Sequence, residues 1–146
     1  MIPLIFREIV FETEEYRLEC GLRDEVLRRP LGLALTAEEL AGEGDQLHFG
    51  LFEPDGGLVA CVVAIRISPG DARIRQMAVS PVHQGRGLGK RLMKALETEL
   101  RSRGFTNLVL HARASAVGFY EKLGYTVDGD EFIDVSVSHF RMVKVV

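Results

Sequence analysis

The sequence predicts an α/β (α+β) fold: one mixed, mostly antiparallel sheet flanked by helices, in the order β-α-α-β-β-β-α-β-α-β-β. Three observations lead there. Apolar runs of strand length recur between turn clusters. Amphipathic runs with caps and glycine stops lie between them. One strand, Arg73 to Val79, is handed to a long helix through Gln84-Gly85-Arg86-Gly87-Leu88-Gly89, a link with three glycines in five residues.

Leu4 to Phe11 reads as the first strand. Thr13, followed by Glu14 and Glu15, is a helix cap with acidic residues in the first turn, and Leu18, Leu22 and Val26 form an apolar stripe that stops before Pro30. Thr36 caps a second, short helix closed by Gly42 and Gly44. Gln46 to Phe52 and Leu58 to Ser68 flank Glu53-Pro54-Asp55-Gly56-Gly57, the pattern of a hairpin. The second arm is apolar at nearly every position, as a strand covered on both faces should be. Pro69-Gly70-Asp71 turns the chain into Arg73 to Val79, and the three strands are expected to form an antiparallel meander.

In the helix from Gly87 to Arg103, Leu88, Leu92, Leu96 and Leu100 recur every four residues while charged residues fill the other faces. Asn107 to His111 is a short buried strand, Ala114 to Leu123 a helix stopped by Gly124, and Tyr125 to Ile133 and Ser138 to Val145 the last two strands. With 146 residues and neither linker nor repeat, the expected organisation is a single domain spanning 1–146.

Composition bounds the function. A 47% hydrophobic and 27% charged chain is that of an ordinary globular protein. No apolar run approaches membrane-spanning length. The first ten residues carry Arg7 and Glu8 and lack a basic leader, so no signal peptide, no membrane partner and a cytoplasmic location are expected. Cys20 and Cys61 are read as buried thiols, and four histidines without paired spacing give no metal site.

Charge is uneven. Residues 1–45 hold five Arg against eleven Asp or Glu, whereas residues 72–103 hold eight Lys or Arg against two Glu. One local basic segment in an acidic chain argues against nucleic acid and for a localised anion. The N-terminus of a helix begun on glycines is such a site, with unpaired N–H groups and a partial positive charge. Two familiar phosphate loops fail on spacing. A Walker loop needs Ser or Thr after Gly-Lys, and Arg91 follows Gly89-Lys90; a dinucleotide loop needs its third glycine where Lys90 stands.

What remains, Q-x-x-G-x-G after a strand, together with Ala116-x-x-Phe119-Tyr120-Glu121-Lys122-Leu123-Gly124-Tyr125 about thirty residues on, closely resembles the GCN5-related N-acetyltransferase (GNAT) superfamily, in its small bacterial single-domain form. The resemblance covers the chain in element order and Arg73 to Tyr125 at motif level. It implies an acetyl-CoA-dependent N-acetyltransferase, with acetyl-CoA as cosubstrate and no metal. Met77, Ala78 and Val79 would pair with the pantetheine arm, and Gln84, Gly85, Arg86, Gly87, Leu88, Gly89 and Lys90 would cradle the pyrophosphate. Arg113 stands where the family often has a pantetheine-binding asparagine, and from there an arginine reaches toward a coenzyme phosphate.

The resemblance also gives Tyr120 the role of proton donor to the departing thiolate. The family's usual strand glutamate is missing from Arg73-Ile74-Arg75-Gln76, so the general base is sought elsewhere: His139 first, then His111, Glu25, Glu43 or His48. The acceptor is a small-molecule or peptide amine, with the acidic N-terminal third favouring a cationic one. The C-terminal strand, read as exposed, is the expected contact of a homodimer. The missing carboxylate also motivates a rival reading, a non-catalytic acyl-CoA-binding or sensing module.

Overall fold

A computed structural model describes residues 3–146; Met1 and Ile2, counted above among the first ten residues, lie outside the described residues. Among the described residues, eight strands form one mixed, mostly antiparallel sheet with four α-helices. The chain divides into two compact units, Met1–Ala64 with Gln76–Leu96 and Ile65–Arg75 with Glu97–Val146.

In the first unit, β1 (Ile5–Ile9) pairs antiparallel with β2 (Leu47–Phe52), from Ile5↔Phe52 to Ile9↔His48, and β2 pairs antiparallel with β3 (Leu58–Ser68). Helix α1 (Glu14–Arg23) begins where expected: the Thr13 hydroxyl accepts from the Tyr16 N–H at 3.3 Å. Helix α2 (Ala37–Ala41) is capped the same way, Thr36 accepting from the Glu39 N–H at 3.2 Å. Ile9, Tyr16 and Phe52 centre one apolar cluster, and Leu22, Cys61 and Ala78 another. Cys61 is fully buried and its thiol is pushed up by that burial, as a core cysteine should be.

The face that α1 buries differs from the expected stripe. Leu18 is exposed, and Tyr16, Glu19, Leu22 and Arg23 point inward. The turn after α1 widens to π form over Asp24–Arg28 before reaching Pro30.

In the second unit, β4 (Asp71–Val79) runs parallel to β5 (Asn107–Arg113) from Asp71↔Asn107 to Ile74↔Leu110, and β5 pairs antiparallel with β8 (Val137–Val145). Helix α3 (Leu88–Ser102), which begins in the first unit and ends in the second, precedes β5 in the chain, and α4 (Val117–Lys122) follows it. Leu92, Met93, Leu96 and Leu100 are fully buried, as the four-residue spacing requires. The expected strand Tyr125 to Ile133 is two short ones, β6 (Thr126–Val127) and β7 (Phe132–Asp134), because Gly129 takes a left-handed φ of 101° between Asp128 and Asp130. Both pair with β8, so the C-terminal strand is flanked on either side rather than exposed as an edge.

Candidate functional site

The glycine link folds as a chain of local bonds. Ser80 to His83 make a tight turn, with the His83 N–H on the Ser80 carbonyl at 2.9 Å, and the Gln84 side-chain amide donates back to the Val79 carbonyl at 3.0 Å. Gly85 and Gly87 take φ of 80° and 72°, the left-handed region that L side chains resist. A Cβ at either position would meet nothing within 4 Å, so glycine is required by backbone angle rather than by crowding.

The Arg91 N–H closes the first helical bond onto the Gly87 carbonyl at 3.1 Å. The N–H groups of Leu88, Gly89 and Lys90, earlier in the same turn, have no carbonyl a turn behind them. The first turn of α3 carries no acidic residue, so no side chain of its own offsets the positive end of the helix. Arg86 and Lys90 are exposed beside it, whereas Arg91 is drawn away, its guanidinium donating to the Leu4 carbonyl at 3.3 Å.

Upstream, Ala78 is buried and Met77 and Val79 half-buried. Gln76 holds a left-handed φ of 57° in the middle of β4, two residues after the ladder to β5 ends at Ile74. A non-glycine residue in that region costs about 1–3 kcal/mol, and it re-aims the main chain of Met77 to Val79.

The second unit holds the other sequence candidates. Of the three tyrosines, Tyr16 donates to Glu43 at 2.7 Å and Tyr125 to Glu97 at 2.7 Å, but the Tyr120 hydroxyl has no hydrogen bond among the described residues. Tyr120 lies on α4, its ring edge-on to Phe119 and Tyr125 at 5.0 and 5.9 Å. Burial pushes its phenol up to about 12, which keeps it protonated near neutrality.

The two histidines of β5 and β8 are held in opposite tautomers. His139 Nδ1 lies 2.8 Å from the Val137 carbonyl, to which it must donate, leaving a lone pair on Nε2. His111 Nδ1 accepts from Arg73 Nη2 at 3.0 Å, so its proton sits on Nε2. Burial, then the charges of Arg73 and Arg141, push His111 down and hold it neutral. Only His139 of this pair has the form of a ready base. Arg113 ends β5 directly across from His139.

Glu43 and His48, named as substrate-side bases, are buried and occupied, which corrects that expectation; Glu25 is exposed. They belong to a polar network that sequence reasoning missed. Arg23, with no exposed surface, donates to Glu19 at 2.7 Å and to both oxygens of Glu43 at 2.7 and 2.6 Å. His48 Nδ1 lies 2.9 Å from a Glu19 oxygen and Nε2 lies 2.9 Å from the Glu43 carbonyl. Both partners only accept, so both ring nitrogens must carry protons: the network is two carboxylates against a guanidinium and an imidazolium. Glu19, Glu43 and His48 have ligand atoms within 4.8 Å of one another, but Arg23 and the imidazole protons already fill those donor atoms.

Burial opposes the charged ring of His48, yet its hydrogen bond to Glu19 and the charge of that carboxylate outweigh it and raise the imidazole. A raised histidine contributes stability that is complete below its unfolded value of about 6.5 and is lost as pH climbs through the folded value. Denaturant midpoints should therefore fall as pH rises above about 6.5, and His48→Gln should flatten that slope. An unchanged slope in the variant would refute the imidazolium assignment.

No helix of the described residues is long and apolar enough to cross a membrane. The element order, the sheet and the glycine-opened helix define a GNAT-type fold. The acyl-CoA N-acyltransferase of Pseudomonas aeruginosa shares it at TM-score 0.79 and 23% identity, over 99% of each chain. So does an aminoglycoside 6'-N-acetyltransferase complexed with coenzyme A, at TM-score 0.77 and 20% identity, over 97% of this chain and 96% of that one.

This chain belongs to the acetyltransferase (GNAT) domain family, whose profile matches residues 33–146. The uncharacterized N-acetyltransferase YjcF of Bacillus subtilis is 35% identical over 80 residues, 54% of this chain and 57% of that protein. The chain spans about half the length of the relatives it matches.

Proposed function

We propose that this chain moves an acetyl group from acetyl-CoA to a primary amine by direct transfer. The observation that carries the reading is the glycine-opened N-terminus of α3, with the N–H groups of Leu88 to Lys90 unpaired among the described residues and no carboxylate in the first turn. Two phosphates require several such donors. Gln84 to Lys90 hold the pyrophosphate, Met77, Ala78 and Val79 offer main-chain groups to the pantetheine arm, and Arg113 reaches toward a coenzyme phosphate.

In the reaction, the amine lone pair attacks the thioester carbonyl and the amine proton passes to Nε2 of His139. Backbone N–H donors steady the oxyanion. As the carbon–sulfur bond breaks, the thiolate takes its proton from Tyr120, whose hydroxyl is not spent on another side chain. His139 and Tyr120 then return to their starting forms by exchange with solvent. No cysteine nucleophile is needed, and Cys61 is core.

Glu in place of Gly87 tests the cradle. The position has open space, so the fold survives with backbone strain of about 1–2 kcal/mol, but a carboxylate is set among the phosphate donors. Acetyl-CoA should raise the melting temperature of the native chain and leave G87E unmoved. An equal shift in both would refute the assignment. The non-catalytic reading, which the carboxylate-free Arg73 to Gln76 segment favours, shares that result and differs in predicting no amine-dependent thiol release.

A further inference from the structure

The second unit turns one face of its sheet inward and leaves the other basic. Ala72, Ile74, Leu108, Leu110, Ala112 and Met142 alternate inward and are buried. The intervening residues include Arg73 on β4, His111 on β5, and Arg141 and His139 on β8, with Phe132 of β7 beside His139; Val109 and Val143 form the apolar end of this face, and Arg113, at its other end, is the residue assigned to the coenzyme.

These side chains touch in a row. Arg73 donates to His111, His111 stands edge-on to Phe132 with ring centres 5.1 Å apart, and Phe132 stacks on His139 at 5.6 Å and 21°. Arg73 Nε is buried without a hydrogen-bond partner among the described residues, a costly state for a guanidinium N–H. The opposing acids are Asp128, bound to Arg141, and Asp134, whose charge acts on His111 against the cations.

Such a face suits an anion. A guanidinium with an N–H to spare, a neutral imidazole forced to present Nε2–H, and Arg141 on β8 across from it are donors of the kind that grip a carboxylate or phosphate. The acidic N-terminal third, which suggested a cationic acceptor, points outward less than its charge count implies, because Glu19 and Glu43 are buried and neutralised.

We propose that this face recognises an anionic group, a carboxylate or a phosphate, carried by the acceptor beside its amine. The word acceptor rests on the acetyl-transfer reading; the anion site does not.

The test titrates the full chain with sodium succinate, inorganic phosphate or sodium chloride at matched ionic strength while the His111 ring is followed by NMR. Succinate or phosphate should raise the His111 titration midpoint by about one unit over chloride, as an opposite charge at close range does. The stronger of the two identifies the group. Arg73→Met should abolish the response and the exposed Arg141→Gln weaken it. A response equal to that of chloride, or one that survives Arg73→Met, overturns the site. Succinate displaced competitively by coenzyme A overturns it as well, since the face would then belong to the acetyl donor.

A second arm measures thiol release with an amino acid and with its uncharged amide. The carboxylated acceptor should be favoured about tenfold in kcat/KM, a difference of about 1.4 kcal/mol, and Arg141→Gln should erase the preference; equal turnover of the two acceptors overturns the role in acceptor choice. Thiol release with no amine at all, while succinate still moves His111, would sink the transfer reading and leave the anion site standing.

Discussion

Arg23→Met is expected to lower unfolding free energy by about 3–5 kcal/mol, the cost of removing one partner from a buried ion pair. At about 2–4 °C per kcal/mol for a chain of this size, the melting temperature should drop by roughly 6–20 °C. The side chain has no exposed surface and its two terminal nitrogens make three bonds, to Glu19 and to both oxygens of Glu43. Without it, two buried carboxylates face the single charge of His48. One of them must then take up a proton to stay folded, so the deficit should shrink as pH is lowered from 8 to 5. Lysine should not rescue the variant, because an ammonium cannot reproduce a planar fork. Calorimetry across that pH range decides the matter, and a loss under about 1 kcal/mol would mean the network is not what holds α1 down.

The same residue shows where sequence reading fails. Thr13, Thr36 and the Glu53-to-Gly57 turn were legible because each acts within a few residues: a hydroxyl caps an N–H three positions on, and Gly56 accepts a left-handed φ of 95°. The link from Gly85 to Gly89 was legible for the same reason. Along α1, periodicity favoured Leu18, yet Glu19 and Arg23 went inside because their partners, Glu43 and His48, come from 20 and 29 residues further along. The available signal was the Glu19–Arg23 pair at i,i+4 beside Tyr16 and Leu22, which reads equally well as a solvated face. The strand order around β8 was hidden for a related reason. Nothing local to Ser138 to Val145 says that it is covered by β5 on one side and by β6 and β7 on the other. The role of Tyr120 came from motif resemblance and that of His139 from where the family places its last strands; only coordinates separate a tyrosine with an unspent hydroxyl from two whose hydroxyls bind carboxylates.

Tyr120→Phe should lower kcat by at least about a hundredfold, the usual contribution of a positioned general acid, with the acetyl-CoA-induced rise in melting temperature retained. The substitution is clean because the Tyr120 hydroxyl bonds to no described residue: its loss orphans no partner, and the ring contacts with Phe119 and Tyr125 persist. Tyr125→Phe is the matched control, since it strips the buried Glu97 of a 2.7 Å hydrogen bond and should cost stability first. The two tyrosines thus separate chemistry from folding. The pH profile divides the two catalytic roles further. Loss of the base in His139→Gln should remove the acidic limb of kcat/KM, whereas Tyr120→Phe should remove the alkaline limb, where a phenol held up at about 12 would otherwise surrender its proton. Turnover of Tyr120→Phe within about threefold of the native chain, well short of what a general acid contributes, would exclude the phenol as the proton source and assign the thiolate's proton to solvent.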